Sequence, residues 1–369
     1  MKKFSNSKNF QSKMKVGLFG YYNFGNFGDD IMAFIISQHL KSKRIKFRIF
    51  GDPTIFRDQH NLNTTNSIKN LVDYSDIIII GGGGCLIPRK DKYFTEYNNQ
   101  IARLIELCKL KSTPLYAISI GGNGVPLKRI YPKPRRDLIH SIRYATFRNP
   151  RDLKLLNESK IKGHYYPDIA WLTPRFFQGK RTKTKKIGIN IMPSKNILFR
   201  FILDIIIKTA IKKNRDYEFI FIDTRSKLNL DRFNTFHLKG KYSNCSKRKF
   251  HQLNEDIEFI KSLDLLITSR LHIGIIALAY NIPVISFLPK IKTKHAFKNV
   301  GLHHLLWGIG GLFNLIYYFS SKKRLRKLLN SLSHFNSTPI INNAEHHLKE
   351  LDSIITRNEN LQTKLGSPT

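Results

Sequence analysis

The chain has 369 residues, enough for two domains of ordinary size, and its 41% hydrophobic and 12% aromatic content can fill two cores. Its 63 basic residues face only 26 acidic ones, a formal charge of +37 that attracts nucleic acid, anionic lipid headgroups or a phosphorylated glycan carrier, although lysine is used along the whole chain rather than in one cluster. Three cysteines, odd in number and never in Cys-x-x-Cys spacing, argue against a disulfide framework or a zinc site.

Met1 to Lys13 is basic and polar, without the apolar centre of a signal peptide, and is expected to be a disordered tail on a cytoplasmic protein. Val16 to Phe19 then reads as a strand and Asp30 to Leu40 as a helix. Between them Gly28-Asp29-Asp30 offers either an N-cap for that helix or a carboxylate facing a cleft to bind or deprotonate an acceptor hydroxyl. Phe47 to Phe50, Ile77 to Ile80, Leu115 to Ile120 and Tyr144 to Phe147 read as further strands, and Asn98 to Lys109 as a helix. This alternation predicts a parallel, doubly wound sheet over residues 14–180.

Gly81 to Gly84 follow the third of these strands and let backbone come close to a ligand or to another domain. They are not a dinucleotide fingerprint: with Gly81 and Gly83 as its first glycines, Leu86 occupies the third position. Cys85, next in line, is either a small residue beside close-packed backbone or a nucleophile. Gly121, Gly122 and Gly124 end another strand and can line the same cleft. Asp168, closing Tyr165-Tyr-Pro-Asp, either fixes the domain junction or touches substrate.

Gln178 to Lys186, polar and highly charged, reads as the linker. A second alternation follows through Ile187 to Ile191, Ile202 to Lys212, Glu218 to Ile222 and Asp256 to Lys261, predicting another Rossmann-like domain over 187–320. Within it a strand over Leu263 to Ile267, a helix over Ile273 to Tyr280 and a strand over Ile282 to Phe287 form a right-handed parallel unit. Arg270 and His272 fall at the carboxyl end of its first strand and beside a helix N-terminus, where an anion is favoured. The plainer alternative pairs Arg270 with a core carboxylate and makes His272 a helix cap. Leu302 to Phe319 is apolar and aromatic but too interrupted to span a bilayer, which takes about 20 residues. With the basic run Lys322 to Lys327 behind it, the stretch serves either the second domain's core or a membrane surface. Residues 321–369 read as helical and polar, most clearly from Ala344 to Thr356.

Several pieces recur in a fixed order: Gly20-Tyr-Tyr-Asn-Phe-Gly-Asn-Phe-Gly-Asp-Asp30, Asp76-Ile-Ile-Ile-Ile-Gly-Gly-Gly-Gly84, Ser119-Ile-Gly-Gly122, Phe147-Arg148, Pro167-Asp168-Ile-Ala170, and Arg270-Leu-His272 with Pro283-Val284 and Lys294. That set resembles the polysaccharide pyruvyl transferase family, from about Lys15 to about Gly301. The resemblance implies two doubly wound Rossmann-like domains facing a cleft, as in GT-B glycosyltransferases. It implies transfer of pyruvate, as a ketal, from phosphoenolpyruvate to a sugar of a cell-surface polysaccharide or its lipid-linked precursor. Phosphoenolpyruvate is then a co-substrate, and neither a cofactor nor a metal is expected. Arg270 and His272 are implied to hold the donor and carry the catalysis, with Arg148 and Lys294 as further donor cations. Asn26, Gly28, Asp29, Gly82, Gly83, Gly121, Gly122 and Asp168 would line the acceptor side of the cleft. The chain departs from the family at Asn149, where an acidic residue usually follows the arginine and could orient it.

A guanidinium binds either anionic group of such a donor through two hydrogen bonds, and an imidazole with an ordinary pKa near 6.5 can give it a proton or neutralise the departing phosphate. Two other functions use the same features. A GT-B-like glycosyltransferase would share the cleft but would need a carboxylate for the nucleotide ribose, which the Arg-Leu-His helix lacks. A non-catalytic basic protein would bind a membrane surface. No nucleic-acid motif accompanies the charge, and the aromatics lie within apolar runs, so no specific nucleic acid is expected. A lipid-linked acceptor would add peripheral contact with the anionic inner face of the membrane.

Overall fold

The computed structural model describes residues 14–22, 25–53, 62–87, 94–179, 181–192, 196–224 and 242–365. The basic tail expected over Met1 to Lys13 lies outside them.

The first half is built from β1 (Lys15–Phe19), α1 (Phe27–Ser42), β2 (Lys46–Phe50), β3 (Thr64–Thr65), α2 (Ile68–Tyr74), β4 (Ile77–Gly83), α3 (Thr95–Leu110) and β5 (Leu115–Ile120). It continues with α4 (Lys133–Ser141), β6 (Ile142–Phe147), α5 (Lys154–Ser159), β7 (Lys162–Tyr165) and α6 (Thr173–Phe176). The seven strands pair in parallel in the order β3-β2-β1-β4-β5-β6-β7. Successive residues point to opposite faces, so Ile77 and Ile79 enter one core while Ile78 and Ile80 enter the other. With both faces covered, strands can be continuous apolar runs, as β4 and β5 are.

Two local boundaries differ from those expected of the sequence. β4 continues through Gly81 to Gly83 because Gly81 and Gly83 still pair with Ile118 and Ile120 of β5. α1 begins at Phe27 with Asn26 at its N-cap, so neither Asp29 nor Asp30 is the cap. Both acids lie in the first turn, where the helix dipole favours negative charge.

The second half contains β8 (Lys186–Asn190), α7 (Ile197–Lys213), β9 (Glu218–Asp223), β10 (Cys245–Lys249), α8 (Leu253–Lys261), β11 (Leu263–Thr268), α9 (Leu271–Ala279) and β12 (Val284–Phe287). After these come α10 (Ile291–Asn299), β13 (Leu306–Trp307), α11 (Gly311–Phe319), α12 (Lys322–Leu332), α13 (Thr338–Ala344) and α14 (His346–Leu365). Its strands are again parallel, in the order β10-β9-β8-β11-β12-β13. Each sheet therefore reverses its winding once, between β1 and β4 and between β8 and β11. Such points leave a crevice beyond the carboxyl ends of the strands.

One apolar cluster runs from the inner face of the first sheet, through α1 and α9, to Ile220, Ile222 and Leu266 of the second. The two halves are thus packed into each other. α14 crosses back to the first sheet, where His347 bridges Thr146 Oγ1 at 2.7 Å and the Pro167 carbonyl at 3.0 Å. Asn358 of the same helix bonds the Tyr116 hydroxyl, and Asp352 pairs with His39 at 2.7 Å. The Leu302 to Phe319 stretch is only partly core: Leu305, Leu315 and Phe319 are buried, while Ile309, Phe313, Ile316 and Tyr317 are exposed. No described helix is long and apolar enough to cross a membrane.

Candidate active site

The end of β11 is pinned before α9 begins. Thr268 Oγ1 accepts from the Arg270 N–H at 2.9 Å and stands 3.1 Å from Asn190 Oδ1, while Ser269 Oγ accepts from the Met192 N–H at 2.7 Å. Arg270 thereby becomes the N-cap residue of α9, in extended conformation and half-buried, and His272 falls in the first helical turn. Every residue of α9 is buried, which suits a helix clamped between its own sheet and α1. The turn points His272 across the interface.

There it meets two residues of the first half. Arg148, directly after β6, donates from Nη1 to Asp168 Oδ2 at 2.6 Å and stands 2.7 Å from His272 Nε2. The same nitrogen is 3.4 Å from Met32 Sδ. His272 Nε2 lies 3.5 Å from Asp168 Oδ2. All three side chains are buried. Because Arg148 can only donate, its short contact requires a bare Nε2, and hence a neutral imidazole carrying its proton on Nδ1. Burial acts in the same sense, pushing the His272 pKa below the usual histidine value; the charges of Arg148 and Lys292 add to it, while Asp168 opposes. Burial would raise the Asp168 carboxyl, but the Arg148 charge and the contacts with His272 and the Ala170 N–H hold it well below the usual carboxylate range. Asp168 is therefore the carboxylate that orients Arg148. Asn149, where the family pattern has an acid, instead accepts from the Arg151 N–H at 3.3 Å and reaches the Gly122 carbonyl at 3.5 Å.

The glycines make room for this cluster. A Cβ on Gly28 would lie 1.9 Å from His272 Nδ1, and one on Gly121 would lie 2.8 Å from Arg148 Nε. Asn26 donates to Asp29, whose carboxylate faces Gly83, while Gly82 packs on Met32. Gly122 donates to Asp152 Oδ2 at 2.6 Å and Gly124 to Asp152 Oδ1 at 2.8 Å. Asp152 thus fixes the loop beneath Arg148; its only mark in the sequence is its place four residues after that arginine. Lys294 is exposed on α10, whereas Lys292, one position beyond the start of that helix, is half-buried with its charge reaching His272. A nearby contact, Arg151 Nη1 to His295 Nε2 at 2.8 Å, also joins the two halves. Burial pushes the Cys85 thiol up to about 12, so it keeps its proton and is no nucleophile near neutrality. Among the described residues no group of three His, Cys, Asp or Glu could hold a metal ion.

Arg148, Asp168 and His272 thus meet in a buried cluster between the halves, with Arg270 at the adjoining helix N-cap, and guanidinium and imidazole groups are the types that bind a compact anion and exchange a proton with it. The sequence profile of the family described as polysaccharide pyruvyl transferase matches residues 26–290, which include Arg148, Asp168, Arg270 and His272. No curated protein matches the chain. Among solved structures, a UDP-GlcNAc 2-epimerase from Methanocaldococcus jannaschii is similar with TM-score 0.61 and 15% identity, over 92% of this chain and 100% of that one. A UDP-GlcNAc 2-epimerase from Neisseria meningitidis, bound to UDP-GlcNAc, has TM-score 0.58 and 14% identity over 91% and 99% of the two chains. An alpha-glucosyltransferase in complex with UDP and DNA has TM-score 0.53 and 12% identity over 93% and 100%. At such identities the likeness concerns the fold, and it is the GT-B arrangement of two facing parallel sheets. With more than half of its length matched by the family profile, the chain belongs to the polysaccharide pyruvyl transferase family.

Proposed function

We propose that the protein transfers pyruvate from phosphoenolpyruvate to two hydroxyls of one sugar, in a cell-surface polysaccharide or its lipid-linked precursor, and does so at the cytoplasmic side of a membrane. The observation that carries this reading is the buried meeting of Arg148, Asp168 and His272, with Arg270 at the adjoining helix N-cap.

In the reaction a proton adds to the methylene carbon of the donor and the double-bond electrons form the new C–H bond. One sugar hydroxyl attacks the adjacent carbon, phosphate leaves with the C–O bond electrons, and a second hydroxyl closes the ketal. Of the two hydroxyl protons released, one replaces that used at the methylene and the other leaves with phosphate. Arg148 and Arg270 suit the donor's carboxylate and phosphate, since guanidinium pairs with either through two charge-assisted bonds. An anion that engages Arg148 competes with His272 Nε2 for the same N–H. Once Nε2 is released it can hold a proton, with Asp168 3.5 Å away to compensate the charge. His272 then serves as the acid for the methylene or for the departing phosphate.

The test is a melting experiment with phosphoenolpyruvate, UDP-sugars and no ligand, beside an assay of acceptor-dependent phosphate release. Stabilisation by phosphoenolpyruvate is expected, and Arg270→Ala should remove both it and turnover at a cost of about 1.5–3 kcal/mol in donor binding, the worth of one hydrogen bond to a charged group. Stabilisation by a UDP-sugar alone would make the protein a nucleotide-sugar enzyme instead.

A further inference from the structure

We propose that the outer face of the second half, formed by α7 and α11, docks onto an anionic lipid bilayer. α7 is apolar on two sides. Leu203, Ile206, Ile207 and Ala210 face the core, while Leu198, Phe201, Ile202 and Ile205 face outward at helical spacing, with Leu198 and Phe201 67% and 62% exposed. α11 repeats the pattern. Leu315 and Phe319 are buried and Phe313, Ile316 and Tyr317 look outward, with Ile309 in the turn just before the helix beside them, Ile309 and Phe313 being 71% and 77% exposed. The helices pack together, and Asn214 at the end of α7 donates to the Phe319 carbonyl at the end of α11 at 2.9 Å. The two stripes therefore lie side by side, and they carry most of the large apolar side chains exposed among the described residues. Isolated exposed apolar residues are ordinary on a protein surface, but a contiguous patch marks an interaction site.

Charge selects the occupant. α12 follows α11 at once and exposes Lys322, Lys323, Arg324, Arg326 and Lys327, while Leu325 and Leu328 anchor it in the core. The Arg324 guanidinium lies 4.4 Å from the centre of the Tyr317 ring, which ties the basic helix to the aromatic stripe. The nearest acids are already engaged, Asp216 with Lys322 and Asp204 with Lys208 at 2.5 Å. Apolar side chains rimmed by lysine and arginine match the boundary between acyl chains and anionic headgroups. A second copy of this chain fits poorly, because it would bring another charge of +37 against the same rim.

Position gives the contact a purpose. α7 follows β8 and α11 follows β13, so the starts of both helices, with Leu198, Phe201 and Phe313, and with Ile309 in the turn before α11, lie at the carboxyl edge of the sheet. Arg270 and His272 stand at that same edge. If the acceptor is lipid-linked, as the proposed function allows, the bilayer would present it near the mouth of the cleft.

The experiment floats the full chain with vesicles of phosphatidylcholine alone or of phosphatidylcholine mixed with phosphatidylglycerol, at low and high salt. No substrate is present, so the outcome is independent of the reading of the active site. Binding is expected only to the anionic vesicles and should weaken with salt. The double variant Phe201→Ser, Phe313→Ser should lower the partition coefficient about tenfold or more, with an unchanged melting temperature because both rings are exposed. Lys323→Gln and Lys327→Gln should each lower it about fivefold. The proposal fails if the serine variant floats as well as the parent, or if neutral and anionic vesicles bind alike. It fails equally if sedimentation shows a dimer that the serine variant abolishes, which would assign the face to a second copy.

Discussion

Gly28 belongs to the first turn of α1 and His272 to the first turn of α9, so their contact is where the two switch points touch. Gly28→Ala tests it. Alanine is favourable in a helix, but its Cβ would fall 1.9 Å from Nδ1 and 2.7 Å from the His272 Cβ, too close for a rotamer change to relieve. The ring must move by about an ångström, a displacement that costs on the order of 10² in turnover. Turnover measured beside circular dichroism should show that loss with helix content retained; normal turnover would show that the ring's present position is not required. The residue types at this site are legible in the sequence, since glycine runs, arginines and a histidine each sit in a recognisable motif. Which of them meet is not legible. Asp168 finds Arg148 from 20 positions away and His272 finds it from 124, and both separations are bridged only by the fold. Lys292 carries no local mark, because one more lysine in so basic a chain is unremarkable by type, and Asp152 is marked only by its place four residues after Arg148.

At the scale of elements, periodic strands and helices follow from the sequence because burial on both sheet faces produces unbroken branched runs. Boundaries are another matter. α1 starts three residues before its first charged turn suggests, and β4 runs on into glycine, since backbone pairing with β5 needs no side chain. α14 shows how a polar-looking helix is held. Its His347 is fully buried between Thr146 and the Pro167 carbonyl, and burial pushes its pKa down to about 4, with the Asp168 charge and the backbone contacts pulling the other way. In the unfolded chain the same histidine titrates near 6.5. Between those values the unfolded chain binds the proton that the folded one refuses, so stability falls as pH drops from about 6.5 to about 4, by on the order of 3 kcal/mol in all. His347→Gln keeps hydrogen-bonding capacity and cannot charge. Melting curves across that range should therefore show a smaller acid loss in the variant than in the parent, and parallel losses would mean that the acid sensitivity originates at another group.

The whole molecule is not two beads on a string. Removing residues 337–369 would strip Ile341, Ala344, Leu351, Ile354 and Ile355 from a cluster that also contains residues of β1, α1 and α9, and would take Asn358 from Tyr116 and His347 from Thr146. That truncation should abolish soluble expression, whereas removing only residues 362–369 should not change the yield or the melting temperature. Equal yields from both would show that α14 is an accessory to the fold. The chain passes between its halves twice, and both passages are fastened to the same end of α9. Tyr280 donates its hydroxyl proton to the Phe177 carbonyl at 2.7 Å, Arg181 bonds the Asn281 carbonyl at 3.2 Å, and Asn281 Oδ1 accepts from the Ser337 N–H at 2.9 Å. α9 thus runs from this shared anchor at Asn281 to His272 at its other end. His272 stands about 13.5 Å from Asn281 at the helical rise per residue, so a relative rotation of about 10° would carry the imidazole about 2 Å and pull it off Arg148. The separation of His272 from Arg148 is therefore set by how the two halves sit on each other, and a substitution at Asn281, far from both, would reach it through α9.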